Sequence, residues 1–308
     1  GYMATAINDF IQGIIMLFGI ATVIAAVLNS KGGFMAALDG LAKVSDPAVT
    51  DTPGIFASFF GPDPLNLLFV VILTSLGTWG LPQMVQKFYA IKDEKSIKKG
   101  TIISTIFALV VAGGSYFLGG FGRLFSDEID VAANGYDSII PTMLSGLSPM
   151  LIALVVILVL SASMSTLSSL VIASSSTLTI DFLKDNFIKD MNDKKQVLSI
   201  RILVVVFIAI SSILALIQYK SSITFIAQLM GVSWGALAGS FLAPFMYSLY
   251  SKRVTKASCW VCFIFSSVLM IANIFFRSSF PTIMQSPINC GAIAMLAGLV
   301  IVPVVSLF

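Results

Sequence analysis

Oxygen-bearing side chains crowd one stretch of this sequence in a pattern suited to cation chemistry. From Ser148 to Ile180 the chain is uncharged, and its first half reads as an ordinary apolar membrane span. The second half carries eleven hydroxyls in the nineteen residues from Ser161 to Thr179. In hydrocarbon a helix satisfies its own backbone, so only side chains can offer oxygens to anything else. Ser161, Ser165 and Ser168 follow i, i+4, i+7 spacing and share one helical face, with Thr166 and Ser169 on the neighbouring stripe. Small hydroxylated residues also let membrane helices pack closely and bond across the contact. That plain reading suits any single serine better than it suits the set. Sodium, a hard cation, takes oxygen ligands without much fixed charge, and this face offers them. Asp9, at the start of the first apolar stretch, is the best-placed carboxylate to join them, since the other acidic residues fall in loops or at helix ends. As a helix cap, Asn8 or Asp9 would also suit the positive end of the dipole, and the two roles are compatible.

The elements that must position these residues are membrane helices. Hydrophobic residues make up 57% of the 308 positions and charged residues only 11%, about half the charge of a soluble domain. The fold class is therefore all-α and polytopic, a single transmembrane domain over residues 1–308. Eight spans are expected, at about 10–28, 64–86, 102–122, 148–180, 202–219, 223–250, 257–276 and 288–307. Each approaches the ~20 residues that a bilayer core of about 30 Å requires. The second is interrupted at LGTWGLPQ, where Gly77, Gly80 and Pro82 fall within six residues. Proline removes a helical hydrogen bond and glycine weakens the turns beside it, so this span should be broken. The sixth carries GVSWGALAGSFLAP, also glycine-rich before Pro244, and residues 31–46 hold a candidate short surface helix.

Charge fixes the orientation. The connections after the second, fourth and sixth spans hold thirteen of the eighteen basic residues, among them Lys95, Lys98, Lys99, Lys194, Lys195 and Arg253. By the positive-inside rule these loops face the cytoplasm, and the first span runs outward. The opposite side holds an acidic cluster at Asp127, Glu128 and Asp130. Topology accounts for the basic loops without a nucleic-acid partner.

Enzymatic readings find little support. The chain has no histidine, which removes the usual base and proton shuttle. No lysine lies within a span, and the Cys259–Cys262 pair falls on an apolar span, where packing explains it. A channel or a non-transporting scaffold is the other class of reading. The chain opens on Gly1 and closes on the apolar run 301–308, as expected of a piece of a longer protein.

Several stretches together resemble the sodium:solute symporter family, closest in motif to its proline and monocarboxylate types. They are AINDFIQG at the first span, GTWGLPQMVQKFYAIKD across the second, SASMSTLSS in the fourth and SLYSKRVTKAS after the sixth. The resemblance implies a leucine-transporter-type fold of two inverted five-helix repeats. This chain would hold the last helix of the first repeat, the whole second repeat and two peripheral helices. The earlier helices of the same chain would be missing partners. The implied function is sodium-coupled symport of a small solute, an amino acid such as proline or a monocarboxylate, across the plasma or inner membrane. Sugars or sialic acids are the alternative. Sodium is the implied coupling ion and only metal, held by the Ala162 carbonyl and the hydroxyls of Ser165 and Thr166. The resemblance places a second sodium at Asp9, Ser165, Ser168 and Ser169. It places substrate contacts at Ser75, Thr78, Trp79, Gln83 and Gln228. No cationic residue within a span offers itself to a substrate carboxylate.

Overall fold

The computed structural model describes residues 2–47, 49–89, 91–129, 135–221 and 226–308. Among these residues the structure is helical, and seven helices are long and apolar enough to cross a membrane. The chain divides into two compact units, Gly1–Val44 with Asp93–Ile223, and Ser45–Lys92 with Thr224–Phe308.

The first unit opens on α1 (Tyr2–Ser30) and the short α2 (Phe34–Lys43). It continues with α5 (Glu94–Gly120), a 3₁₀ segment Phe121–Glu128, α6 (Ile139–Ser145), α7 (Pro149–Thr177) and α8 (Asp193–Ser221). Helix α5 starts where the Asp93 carboxylate accepts the Ser96 amide at 2.7 Å, filling one of the four donors a helix start leaves open. Proline at the first position of α7 costs nothing there, because that amide has no helical partner. Ile20, Val23 and Val27 recur on one face of α1 and pack with Leu118, Phe125, Met143 and Leu144. Near mid-span α1 and α7 approach closely, and a Cβ on Gly19 would lie 2.6 Å from Leu158 Cδ1. At its end α7 widens into a π-helical turn, Leu178–Lys184.

The second unit contains α3 (Pro64–Gly77), α4 (Pro82–Phe88), α9 (Ile226–Tyr250), α10 (Lys256–Phe275), α11 (Thr282–Gln285) and α12 (Pro287–Val305). The break expected in the second span lies between α3 and α4. Thr78–Gly80 tightens to 3₁₀, and Leu81 turns extended at φ −87°, ψ 115°. Steric pressure from the ring of Pro82 drives the residue before it out of helical space. This span is therefore not one crossing-length helix; its apolar helical run is Pro64–Gly80. The glycines of the sixth span do something else, since α9 continues unbroken through Pro244. Gly231, Gly235 and Gly239 form an i, i+4, i+8 stripe that lets neighbouring backbones close in, as small residues do between membrane helices. A Cβ on Gly231 would lie 2.7 Å from Ile288 N, and one on Gly235 2.6 Å from Gly291 Cα. Cys262 donates its thiol to the Gly239 carbonyl at 3.3 Å, and the cysteines are free. The CxxC pair is packing.

Two boundaries bear on function. Helix α1 is described from Tyr2, so Asp9 is not its cap. It lies within the first turn of the candidate span Ala6–Ser30. The expected start of the sixth span at Ile223 lies outside the described residues, as does Asp130, and α9 is described from Ile226.

Candidate functional site

Helix periodicity puts a polar stripe along α7 that reaches into its π-helical end. Ser161, Ser165, Ser168, Ser175 and Thr179 lie on one face, with Val171 between them. Ser161, Val171, Ser175 and Thr179 are buried and Ser165 and Ser168 are half-buried. The stripe thus runs further toward the C-terminal end of the helix than Ser168. Ser175 and Thr179 continue it at i+7 and i+11 from Ser168, a spacing already present in the sequence. Their hydroxyl oxygens are fully buried and have no hydrogen-bond partner among the described residues. Off the stripe the hydroxyls behave differently. Ser176 donates to its own helix at Ile172 O, at 2.7 Å.

Tertiary packing brings Asp9 to this stripe. The Ser165 hydroxyl donates to Asp9 Oδ1 at 2.8 Å, joining residues 156 apart in sequence. A carboxylate within an apolar helix needs directed hydrogen-bond partners, and the Ser165 hydroxyl is one. One turn along from Asp9, Gln12 is 6% exposed, and its Oε1 has no partner among the described residues. The D-x-x-Q spacing in AINDFIQG could have placed it on the Asp9 face, but nothing local says that this face is buried.

The other expected sodium ligands fall close by. The exposed Thr166 hydroxyl donates to the Ala162 carbonyl at 3.1 Å, so these two oxygens already lie side by side. Ser168 and Ser169 are both half-buried one turn beyond Ser165. The arrangement offers one negative charge and several neutral oxygens between two helices, a donor set that a small hard cation prefers.

The residues expected on the substrate side belong to the second unit. Ser75 and Trp79 are exposed, while Thr78 and Gln83 are half-buried around the break. The Thr78 hydroxyl donates to the Ser75 carbonyl at 3.0 Å. Gly80 holds the break against α9, where a Cβ would come within 2.8 Å of Ala238 Cα. Gln228 is ten residues earlier on α9 than Ala238, about 15 Å along the axis, and so is not beside the break. Its side-chain carbonyl accepts from Arg277 Nη1 at 3.4 Å, and Arg277 Nε donates to Gln285 O at 2.7 Å. Sequence alone does not single out Arg277, which lies in a loop, yet in the structure it is half-buried beside a candidate contact.

Seven helices long and apolar enough to cross a membrane mark a multi-pass membrane protein. The chain belongs to the sodium:solute symporter family, whose model matches residues 1–266. It is 25% identical over 257 residues to the osmoregulated proline transporter OpuE of Bacillus subtilis, covering 83% of this chain and 50% of that protein. It is 30% identical over 193 residues to the sodium/pantothenate symporter of Haemophilus influenzae, covering 61% and 37%. With the sodium/proline symporter of Staphylococcus aureus it shares 29% over 269 residues, covering 83% and 48%. The chain spans about half the length of these relatives or less.

Proposed function

We propose that this chain belongs to a sodium-coupled symporter of the plasma or inner membrane that moves a small organic solute. Proline or a monocarboxylate is the first choice, with a sugar or sialic acid behind it. The observation that carries this reading is the Asp9 carboxylate, within an apolar helix and met by Ser165 on the oxygen stripe of a second helix. A scaffold has no use for a charge in that position. The names of the relatives agree with the choice of solute, because pantothenate is itself a monocarboxylate.

In this reading sodium occupies two places. One is formed by the Ala162 carbonyl with the Ser165 and Thr166 hydroxyls, the other by Asp9, Ser165, Ser168 and Ser169. The chain is read as a single transmembrane domain with the leucine-transporter-type repeat architecture. Sodium entering from outside favours an outward-open state, solute then binds beside the broken helix near Ser75, Thr78, Trp79 and Gln83, and the carrier turns inward. Coupling demands that sodium favour one state over the other, since tight binding alone shifts no equilibrium. Gln228, paired with Arg277, is the candidate for contact with a solute carboxylate away from the break.

The test is uptake of labelled proline and pantothenate into proteoliposomes carrying the protein in its full natural length, with sodium exchanged for potassium. Saturable, sodium-dependent accumulation against a gradient is expected. Asp9→Asn is expected to lower the sodium Hill coefficient. Conductance without saturation would favour a channel, and a Hill coefficient unmoved by Asp9→Asn would remove the second ion.

A further inference from the structure

We infer that the groove between α9 and α10 binds one anionic phospholipid of the cytoplasmic leaflet, with its phosphate at Lys256 and an acyl chain along the two helices. The inference goes beyond the symport reading and depends on neither the solute nor the coupling ion.

The groove has a volume of about 310 Å³ and is walled by residues of α9 and α10, a size within the range of ligand sites. A Cβ on Gly235 would meet Met270 and one on Gly239 would meet Ser266, so the two helices run antiparallel. On α10 the groove runs from Lys256 to Phe263, about 10 Å from the basic loop toward mid-span. At the inner end the Ser240 hydroxyl donates to the Phe263 carbonyl at 3.4 Å and joins the two walls.

Chemistry along the groove changes in the order in which a phospholipid presents its parts. Lys256, the first residue of α10, is exposed at the mouth, and its ammonium has no hydrogen bond or ion pair among the described residues. One turn deeper stands the exposed Trp260, whose indole N–H likewise has no partner among the described residues. Tryptophan suits that depth, with its ring toward hydrocarbon and its N–H toward the polar boundary. Deeper still, Phe263 meets Trp260 edge-on at 5.9 Å and Phe241 meets Phe263 at 5.9 Å. These rings and Pro244, which has no amide hydrogen, present the inner groove with apolar surface.

Charge selects the headgroup. Lys252, Arg253 and Lys256 fall within five residues, and residues 224–308 contain no Asp or Glu to neutralise them. The positive-inside rule puts this loop at the cytoplasmic leaflet, which carries the anionic lipids, and basic pockets between membrane helices on that side hold their headgroups. A zwitterionic headgroup brings its own cation and gains less from three uncompensated positive charges.

Native mass spectrometry of the full-length protein in detergent, without sodium or solute, tests the site with phosphatidylglycerol, phosphatidylcholine and inorganic phosphate as probes. A saturable adduct of one phosphatidylglycerol is expected, with a lower Kd than for phosphatidylcholine, and inorganic phosphate should neither bind nor compete. Lys256→Gln is expected to raise the phosphatidylglycerol Kd about fivefold, the share of one basic residue near an anionic leaflet, and to leave phosphatidylcholine unchanged. Lys98→Gln, exposed on α5, is the control and should change neither. Cys259→Phe puts a ring into the groove that Cys259 lines and should weaken both lipids. Equal Kd values for the two lipids, or equal phosphatidylglycerol binding by Lys256→Gln and wild type, would overturn the assignment and leave only bulk lipid in the groove. Competition by inorganic phosphate overturns the lipid as ligand in favour of a free anion. Absence of any adduct overturns it as well, and a Cys259 closed to maleimide would then assign the groove to other segments of the chain. Should Cys259→Phe not fold, the exposed Lys256→Gln decides alone.

Discussion

Ser165 is the residue on which both proposed ion positions depend, and its replacement by alanine is the most informative perturbation. In the structure its hydroxyl donates to Asp9 Oδ1 at 2.8 Å. Charge-assisted hydrogen bonds contribute about 1.5–3 kcal/mol. Both partners are half-buried, so solvent screening puts this bond toward the lower figure. In the proposed sites, the same oxygen would turn a lone pair to an arriving sodium ion while the carboxylate bonds the ion directly. Alanine therefore removes something from both states, and the loaded state loses more, because a gap in the ion's oxygen shell inside an apolar helix pair is refilled poorly. A net difference of about 1.4 kcal/mol is a tenfold rise in sodium half-saturation. The assay is initial-rate uptake across a sodium series at fixed ionic strength. Ser163→Ala serves as control, since Ser163 is exposed and off the stripe. If Ser165→Ala has the half-saturation of wild type, the oxygen stripe does not serve sodium and the reasoning fails.

Two further outcomes test the frame around the site. Gly80→Ala should lower the melting temperature of the purified protein and cut uptake. Its Cβ would fall 2.8 Å from Ala238 Cα and 2.9 Å from Ala238 O, an overpacking that costs about 1–3 kcal/mol. Gly100→Ala, with nothing within 4 Å, should leave both measurements alone, and equal behaviour of the two variants would refute the close-contact argument. Asp93, at the start of α5 outside the span, has its carboxyl held below the usual carboxylate range, first by the Ser96 amide. A depressed folded value stabilises the helix start above the ordinary carboxylate range and loses that effect as pH falls through the folded value. Amide exchange over residues 94–97, corrected for intrinsic rate, should thus stay protected at neutral pH and lose protection below about pH 4. Protection that does not change with pH would count against the cap.

Much of this architecture is legible without any knowledge of packing. Apolar runs of bilayer length, a proline after two glycines and hydroxyls at helical spacing are local signals, because backbone hydrogen bonding and the 3.6-residue repeat operate within a segment. They locate the spans, the break at Leu81–Pro82 and the Ser161–Ser165–Ser168 face. The helical turns before Phe10 escape them because Tyr2–Asn8 is less apolar than the span it leads into, yet nothing in it stops a helix. Hydropathy marks where lipid begins, not where a helix does.

What a face meets is decided by other parts of the chain. The period shows that Ser165 and Ser168 share a side, but the partner of Ser165 lies 156 residues away, on a helix seated by Gly19 against Leu158. The same register buries the Gln12 oxygen, which in sequence is one polar residue in an apolar run. The glycine stripe of α9 likewise resembles a second break in sequence, and only the proximity of Gly291 and Ile288 gives it the role of a close helix contact. Residue type and spacing determined which chemistry each helix could offer. Side-chain volumes at the helix crossings, contributed by segments far apart in the chain, determined which of those offers meet.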